Sequence, residues 1–206
     1  TTWSSGKASI ELETTETQYT IEYKINSGSW TKYSGIIGNL NHGDKVTARL
    51  TNGTVTGPET TIEIKDENDP VVIVTAGGTT TNSVTVSVTA EDNESGMTES
   101  IQYTYYIKQT SEQDSAYQAK ATDITQNTYT FTGLTQGISY DVKVEAKSDK
   151  AGNVGTGTLS NQTTGTLPGG ETGVEQGAIT FSSATWSAGK ASITISTNTS
   201  YTIEYQ

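Results

Sequence analysis

The chain repeats itself. Thr2-Trp3-Ser4-Ser5-Gly6-Lys7-Ala8-Ser9-Ile10 returns near the far end as Thr185-Trp186-Ser187-Ala188-Gly189-Lys190-Ala191-Ser192-Ile193. Both copies run on to Tyr-Thr-Ile-Glu-Tyr, at Tyr19–Tyr23 and Tyr201–Tyr205, the second after a spacing one residue shorter. Two anchored blocks in the same order mark one full period of a tandem array followed by the opening of the next. A chain of this kind is built from small units in series rather than around one large core.

The apolar residues are few, 31 % of the 206, but they alternate with polar ones instead of scattering. Ala8, Ile10 and Leu12 face one way within Lys7–Glu13, and Tyr19, Ile21 and Tyr23 do so within Gln18–Lys24. Trp30–Tyr33, Lys45–Leu50 (Val46, Ala48 and Leu50 inward) and Thr60–Ile64 continue the period-two pattern. These runs predict a first β module over residues 1–65. In the later copy a further strand-like run, Gly177-Ala178-Ile179-Thr180-Phe181, precedes the Trp motif, so the first module is read as lacking its first strand.

A second module is predicted over 66–165. It has runs at Val71–Val74, Val84/Val86/Val88, Ile101/Tyr103/Tyr105/Ile107, Tyr129/Phe131, Tyr140/Val142/Val144/Ala146 and 156–164, with 109–123 read as a loop or weak edge strand. Seven short strands with turn signals between them predict a sandwich. Residues 166–176 read as a Gly-rich linker, and 177–206 as the opening strands of a repeated copy of the first module. The fold class is therefore all-β, a string of antiparallel sandwiches.

Leu134-Thr135-Gln136-Gly137-Ile138-Ser139-Tyr140-Asp141-Val142 is similar to the E–F corner of a fibronectin type III domain. The resemblance covers roughly 68–165 and departs in the B strand, where valines stand in place of the family's core Trp. It implies that Leu134 and Tyr140 are structural, the Tyr hydroxyl bonding back to upstream backbone. Asp92-Asn93-Glu94-Ser95-Gly96 and Asp149-Lys150-Ala151-Gly152-Asn153 resemble loops of bacterial Ig-like surface repeats of the Gram-positive type. Tandem Ig-like or fibronectin III-like domains imply an extracellular, cell-surface location.

Composition removes several function classes. Net charge is −11 with no basic face for phosphates, which excludes nucleic acid. No stretch approaches the roughly 20 apolar residues of a spanning helix, so no membrane insertion is expected in this segment. Cysteine is absent and His42 is the sole histidine, which leaves no set for a transition metal. No nucleophile elbow or catalytic triad is visible, and no enzymatic activity is expected.

Carboxylates remain. In a fibronectin-type sandwich the N-terminal linker, the B–C loop and the F–G loop share one pole. Here that arrangement implies that Asp66, Asp69, Asp92 and Asp149 meet as a Ca²⁺ site at the module junction, with Glu67 and Glu94 nearby. Asp66-Glu67-Asn68-Asp69 also resembles the acidic linker of cadherin-like repeats. Acidic residues are equally at home in ordinary turns. Trp3 and Trp186, at one repeat position before a strand, read as structural plugs, whereas Trp30 is the candidate for a ligand such as a host or cell-wall glycan. Lys7 and Lys190 recur beside strand starts, where related surface domains form intramolecular isopeptide cross-links.

Together these features predict a structural repeat segment of an extracellular stalk, adhesin or filament that projects a functional tip. Its partners would be neighbouring copies of the same repeat. Two alternatives stand beside it: a self-assembling filament subunit joined by strand donation between half-modules, and a carbohydrate-binding accessory module of a secreted enzyme or phage fibre.

Overall fold

A computed structural model of the chain describes residues 1–166 and 179–197. It divides into two compact units, Thr1–Gly165 and Thr166–Gln206. The first unit contains two separate hydrophobic cores in series.

The first core lies between a three-stranded and a four-stranded sheet. Strands β1 (Thr2–Ser4), β2 (Lys7–Ile10) and β5 (Ile37–Leu40) form one. Strands β4 (Thr31–Lys32), β3 (Thr20–Ile25), β6 (Lys45–Thr51) and β7 (Thr60–Glu63) form the other, in that order. Ser5 and Gly6 both have positive φ, 51° and 77°, which is the I′ geometry that suits the twist of a two-residue hairpin. That turn sets Trp3 opposite Ala8. Ala8, Ile10, Ile37, Leu40, Val46 and Ile64 make the core, with Trp3, Leu12, Tyr23, Ile25 and Tyr33 against its rim.

Two of these strands escaped the sequence reading. Thr-Trp-Ser is too short to show a period, and Ile37-Gly38-Asn39-Leu40 carries two strand-poor residues between its buried ends. The strand expected over Lys7–Glu13 stops at Ile10, because Glu11–Glu13 have no neighbouring strand to pair with. Val46 is buried as expected, whereas Ala48 and Leu50 are only half-buried.

The second module packs β8 (Val71–Thr79), β9 (Ser83–Glu91) and β12 (Thr128–Thr132) against a sheet ordered β11-β10-β13-β14. The latter strands are β10 (Met97–Gln109), β11 (Gln118–Ile124), β13 (Ser139–Asp149) and β14 (Gly155–Thr163). The stretch left open between loop and edge strand resolves into a short 3₁₀ turn, Asp114–Ala116, followed by β11. Val84, Val86 and Val88 are inaccessible to solvent, as are Val142, Val144 and Ala146 opposite them. Where valines replace an expected Trp, the volume comes from neighbouring strands instead. Tyr105 is wholly buried and stacks on Tyr129 (5.0 Å, 22°), which meets Phe131 edge-on at 4.9 Å. The two outer strands approach unusually closely. A Cβ on Gly155 would lie 2.0 Å from the Pro70 carbonyl oxygen, so only glycine fits there.

In the second unit, β15 (Ile179–Phe181) pairs with β18 (Ile195–Thr197), and β16 (Thr185–Ser187) with β17 (Lys190–Ser192). The β16–β17 hairpin repeats the first: Trp186 sits opposite Ala191 as Trp3 does opposite Ala8, over a turn with positive φ at Ala188 and Gly189. The linker expected at 166–176 falls, from residue 167 on, outside the described residues, as does 198–206.

Candidate metal centre

The acidic segment 66–69 leaves the first module and enters the second at Pro70. Its backbone is held from both sides. The Asp66 N–H donates to His42 Nδ1 of the first module at 3.0 Å. From the second module, the Asn153 amide donates to the carbonyls of Asp66 (3.3 Å) and Asn68 (2.9 Å). His42, the sole histidine, thus pins the junction. The β1–β2 turn also reaches this place, since a Cβ on Gly6 would meet the Ser95 carbonyl at 3.6 Å.

Three of the four carboxylates singled out in the sequence come together here. Asp66, Asp92 and Asp149 each present an oxygen such that all three lie within 4.8 Å of one another. Asp66 and Asp149 are buried, 3 % and 4 % exposed, and Asp92 is half-buried. Asp69 is exposed and stays outside the group. The loops that deliver them are tightly wound. Asp92 accepts from the Glu94 N–H (3.0 Å) and from Ser95 Oγ (3.1 Å). Asp149 Oδ1 accepts from the Asn153 N–H at 2.6 Å, which closes the turn after β13. Asp66 accepts from the N–H groups of Asn68 (3.1 Å) and Ser95 (3.0 Å).

Every buried carboxylate oxygen in this group is satisfied except one. Asp149 Oδ2 is inaccessible to solvent and has no hydrogen-bond partner. An ionised oxygen in that position is costly unless a cation compensates it. Oxygens sharing one Ca²⁺ at about 2.3–2.6 Å lie at most about 5.2 Å apart, so the spacing of the three aspartates suits a single ion. An all-oxygen set favours a hard cation over zinc or copper.

The titration behaviour of the cluster reflects its crowding. Burial opposes charge on Asp66, but bonds from Ser95, Glu94 and Asn68 outweigh it and hold the carboxyl below the ordinary 3.8. Glu94 is pushed above the ordinary 4.5, first by its bond to Asp66, then by burial and the charges of Asp66 and Asp92. Asn68 Nδ2 donates to Glu94 Oε1 at 2.7 Å.

The remaining residues singled out in the sequence lie elsewhere. The Tyr140 hydroxyl accepts from the Thr135 N–H at 3.0 Å, and Leu134 packs against the second core. Trp3 borders the first core, while Trp186 is 75 % exposed. The Trp30 ring is covered by the Arg49 guanidinium at 3.8 Å and the Lys24 ammonium at 4.6 Å. Arg49 in turn pairs with Glu22 at 3.1 Å. Lys7 donates to Asn41 Oδ1 at 2.5 Å in an exposed setting. One charged pair carried no signal in the sequence. Lys108 and Asp141 stand opposite each other on β10 and β13, joined at 2.9 Å and buried under the loop that follows β10.

No protein-family model matches the sequence, and no curated protein does. Among solved structures, the chain is similar to a two-domain fibronectin type III segment of chicken tenascin (16 % identity, TM-score 0.48, covering 78 % of this chain and 95 % of that one). It is also similar to a run of domains from titin (13 %, TM-score 0.36, 77 % and 60 %) and to the FN1–FN3 domains of chicken CNTN1 (14 %, TM-score 0.32, 78 % and 64 %). The chain spans less than two thirds of the latter two. In its own sheets, three strands facing four with Tyr140 at the head of the sixth, the second module has a fibronectin type III-like fold, one of two β-sandwiches in tandem.

Proposed function

We propose that this chain is a non-enzymatic spacer segment of an extracellular stalk, adhesin or filament, whose two sandwiches are locked in line by a calcium ion at their junction. The observation that carries the reading is the buried, unpartnered Asp149 Oδ2 beside Asp66 and Asp92. Asp66 belongs to the linker, and Asp92 and Asp149 to two loops of the second module. A cation bound by all three ties the connection between modules to the body of one of them. Stiffness at such a joint is what a projecting rod needs. Six to eight oxygens complete a Ca²⁺ shell, and the Glu94 carboxylate and nearby backbone carbonyls are available to the three aspartates. The cover over Trp30 argues against the glycan-binding alternative, because a sugar would first have to displace Arg49.

The absence of native cysteine allows a direct test. Spin labels at Thr54→Cys and Gln113→Cys, both on exposed loops, report the distance between the two modules by pulsed electron resonance. A distribution that is broad in chelator and narrow in millimolar calcium supports the proposal. Equal widths in both contradict it.

A further inference from the structure

The three aspartates at the junction come from the linker and the second module, yet the first module is bonded to the earliest of them. Ile64, wholly buried in the first core, exchanges hydrogen bonds with the 41–44 turn. The Gly43 N–H donates to the Ile64 carbonyl and the Ile64 N–H to the Asp44 carbonyl, both at 2.8 Å. Two residues on, the Asp66 N–H takes the next place along this edge, and a side chain meets it: His42 Nδ1 accepts at 3.0 Å. The turn that carries His42 is itself closed by the Asp44 carboxylate, which accepts from the Asn41 N–H and from Asn26 Nδ2, each at 2.8 Å. Asp66 is thus continuous with the first core through its N–H, while its carboxylate faces the second module.

Ser95 makes a second link. It is 3 % exposed. Its N–H donates to Asp66 Oδ2 and its Oγ to Asp92 Oδ2. Its carbonyl lies against the hairpin turn between β1 and β2, 3.6 Å from where a Cβ on Gly6 would stand. That hairpin carries Trp3 and Ala8, both part of the packing of the first core.

Resting on the calcium reading above, we infer that His42 is a positioning residue for the cation, and that the first module, which gives none of the three carboxylates, sets the affinity of the site. Without the Nδ1 acceptor the Asp66 N–H has no partner in the first module. The backbone that aims the Asp66 carboxylate at Asp92 and Asp149 then gains freedom that the ion must remove on binding. Asn153 cannot substitute, because it holds only the carbonyl side of the same segment. Coupling of this kind is reciprocal. A folded first module strengthens calcium binding by the same factor by which calcium strengthens folding of the first module. Calcium therefore stabilises a sandwich whose own carboxylates stay out of the site.

The tryptophans make this readable in the full chain: Trp3 and Trp30 lie in the first module, Trp186 in the second unit, and residues 66–165 contain none. In a Trp186→Phe background, at one pH, fluorescence during urea unfolding follows the first module alone. Calorimetric titration with calcium chloride follows the site. The first-module midpoint is expected to rise in millimolar calcium, and Asp149→Asn to abolish the rise. His42→Leu is expected to weaken calcium binding about two- to tenfold, the worth of one hydrogen bond, and to shrink the rise. His42→Asn is expected to restore both, because Asn Oδ1 and His Nδ1 stand the same number of bonds from Cα. A chain that takes up no calcium overturns the calcium reading and this inference with it. A chain that binds calcium while its first-module midpoint stays unchanged overturns the inference alone, and that comparison needs no change at His42. Unchanged affinity in His42→Leu also overturns it. So does an equal loss in the Leu and Asn variants, which would assign His42 to packing.

Discussion

The Ser95 N–H donates to the Asp66 carboxylate at 3.0 Å across 29 positions of sequence. This bond joins the segment between the modules to a loop of the second module, and it brings Asp66 to Asp92 and Asp149. Around it the His42, Asn68 and Asn153 side chains bond to linker backbone or to Glu94, so the segment is held from both modules.

Asn153→Ala removes the donor that serves both the Asp66 and Asn68 carbonyls. A hydrogen bond of this type is worth roughly 0.5–1.5 kcal/mol, so the loss is expected at about 1–2 kcal/mol, with larger mobility at the joint. Urea unfolding measures the first. Amide exchange at Asp66–Asn68 measures the second, and unchanged protection there would contradict the role given to Asn153.

Tyr140→Phe keeps the ring in the second core but leaves the Thr135 N–H without its acceptor. The expected cost is about 1 kcal/mol. Phe131→Ala, which empties a site 2 % exposed, is expected to cost about 3–5 kcal/mol. Denaturant midpoints at constant slope should rank the two in that order.

Gly155→Ala drives a methyl group into the Pro70 carbonyl. The strands β8 and β14 must separate, at an expected cost of about 1–3 kcal/mol. Because Pro70 follows the acidic segment directly, the same change is expected to weaken calcium binding, which titration calorimetry reads.

The Lys108–Asp141 pair sets a pH window. Burial opposes charge on Asp141, but bonds from Asn161, Thr110 and Lys108 outweigh it and lower its carboxyl below 3.8. Its contribution is present above the unfolded value and is lost as pH falls through the folded one. The bond to Asp141 raises Lys108 above 10.5 against the opposing effect of burial. Its contribution is present below 10.5 and lost as pH rises through the folded value. Melting temperature is therefore expected to keep the pair's contribution between about pH 4 and pH 10 and lose it beyond both ends. In Asp141→Asn both dependences should shrink.

Much of this architecture was legible in the sequence because strand alternation is local. Val84, Val86, Val88 and Val142, Val144, Ala146 announce buried faces without reference to anything else. The repeat revealed the modules, and the turn-rich loops around Asp92 and Asp149 pointed to one pole. What was not legible depends on partners distant in the chain. Strands Thr2–Ser4 and Ile37–Leu40 exist because Ala8 lies between them. Lys108 reads as a surface residue until β13 places Asp141 opposite it. Asp69 differs from Asp66 by three positions, yet only Asp66 is turned inward, by a bond from the Ser95 N–H to its carboxylate and one from its own N–H to His42 Nδ1, which no local pattern encodes.

The most direct test of the calcium junction is thermal unfolding of wild type and Asp149→Asn, each in chelator and in calcium. In chelator, the substitution removes a buried unpartnered carboxylate, so the variant is expected to melt no lower than wild type. In calcium, wild type is expected to rise, since an ion at about 100 times its Kd adds about 2.7 kcal/mol. The variant should rise little, and the order of the two melting temperatures should therefore reverse. A wild type indifferent to calcium, or a variant that gains as much as wild type, would contradict a cation held by Asp66, Asp92 and Asp149.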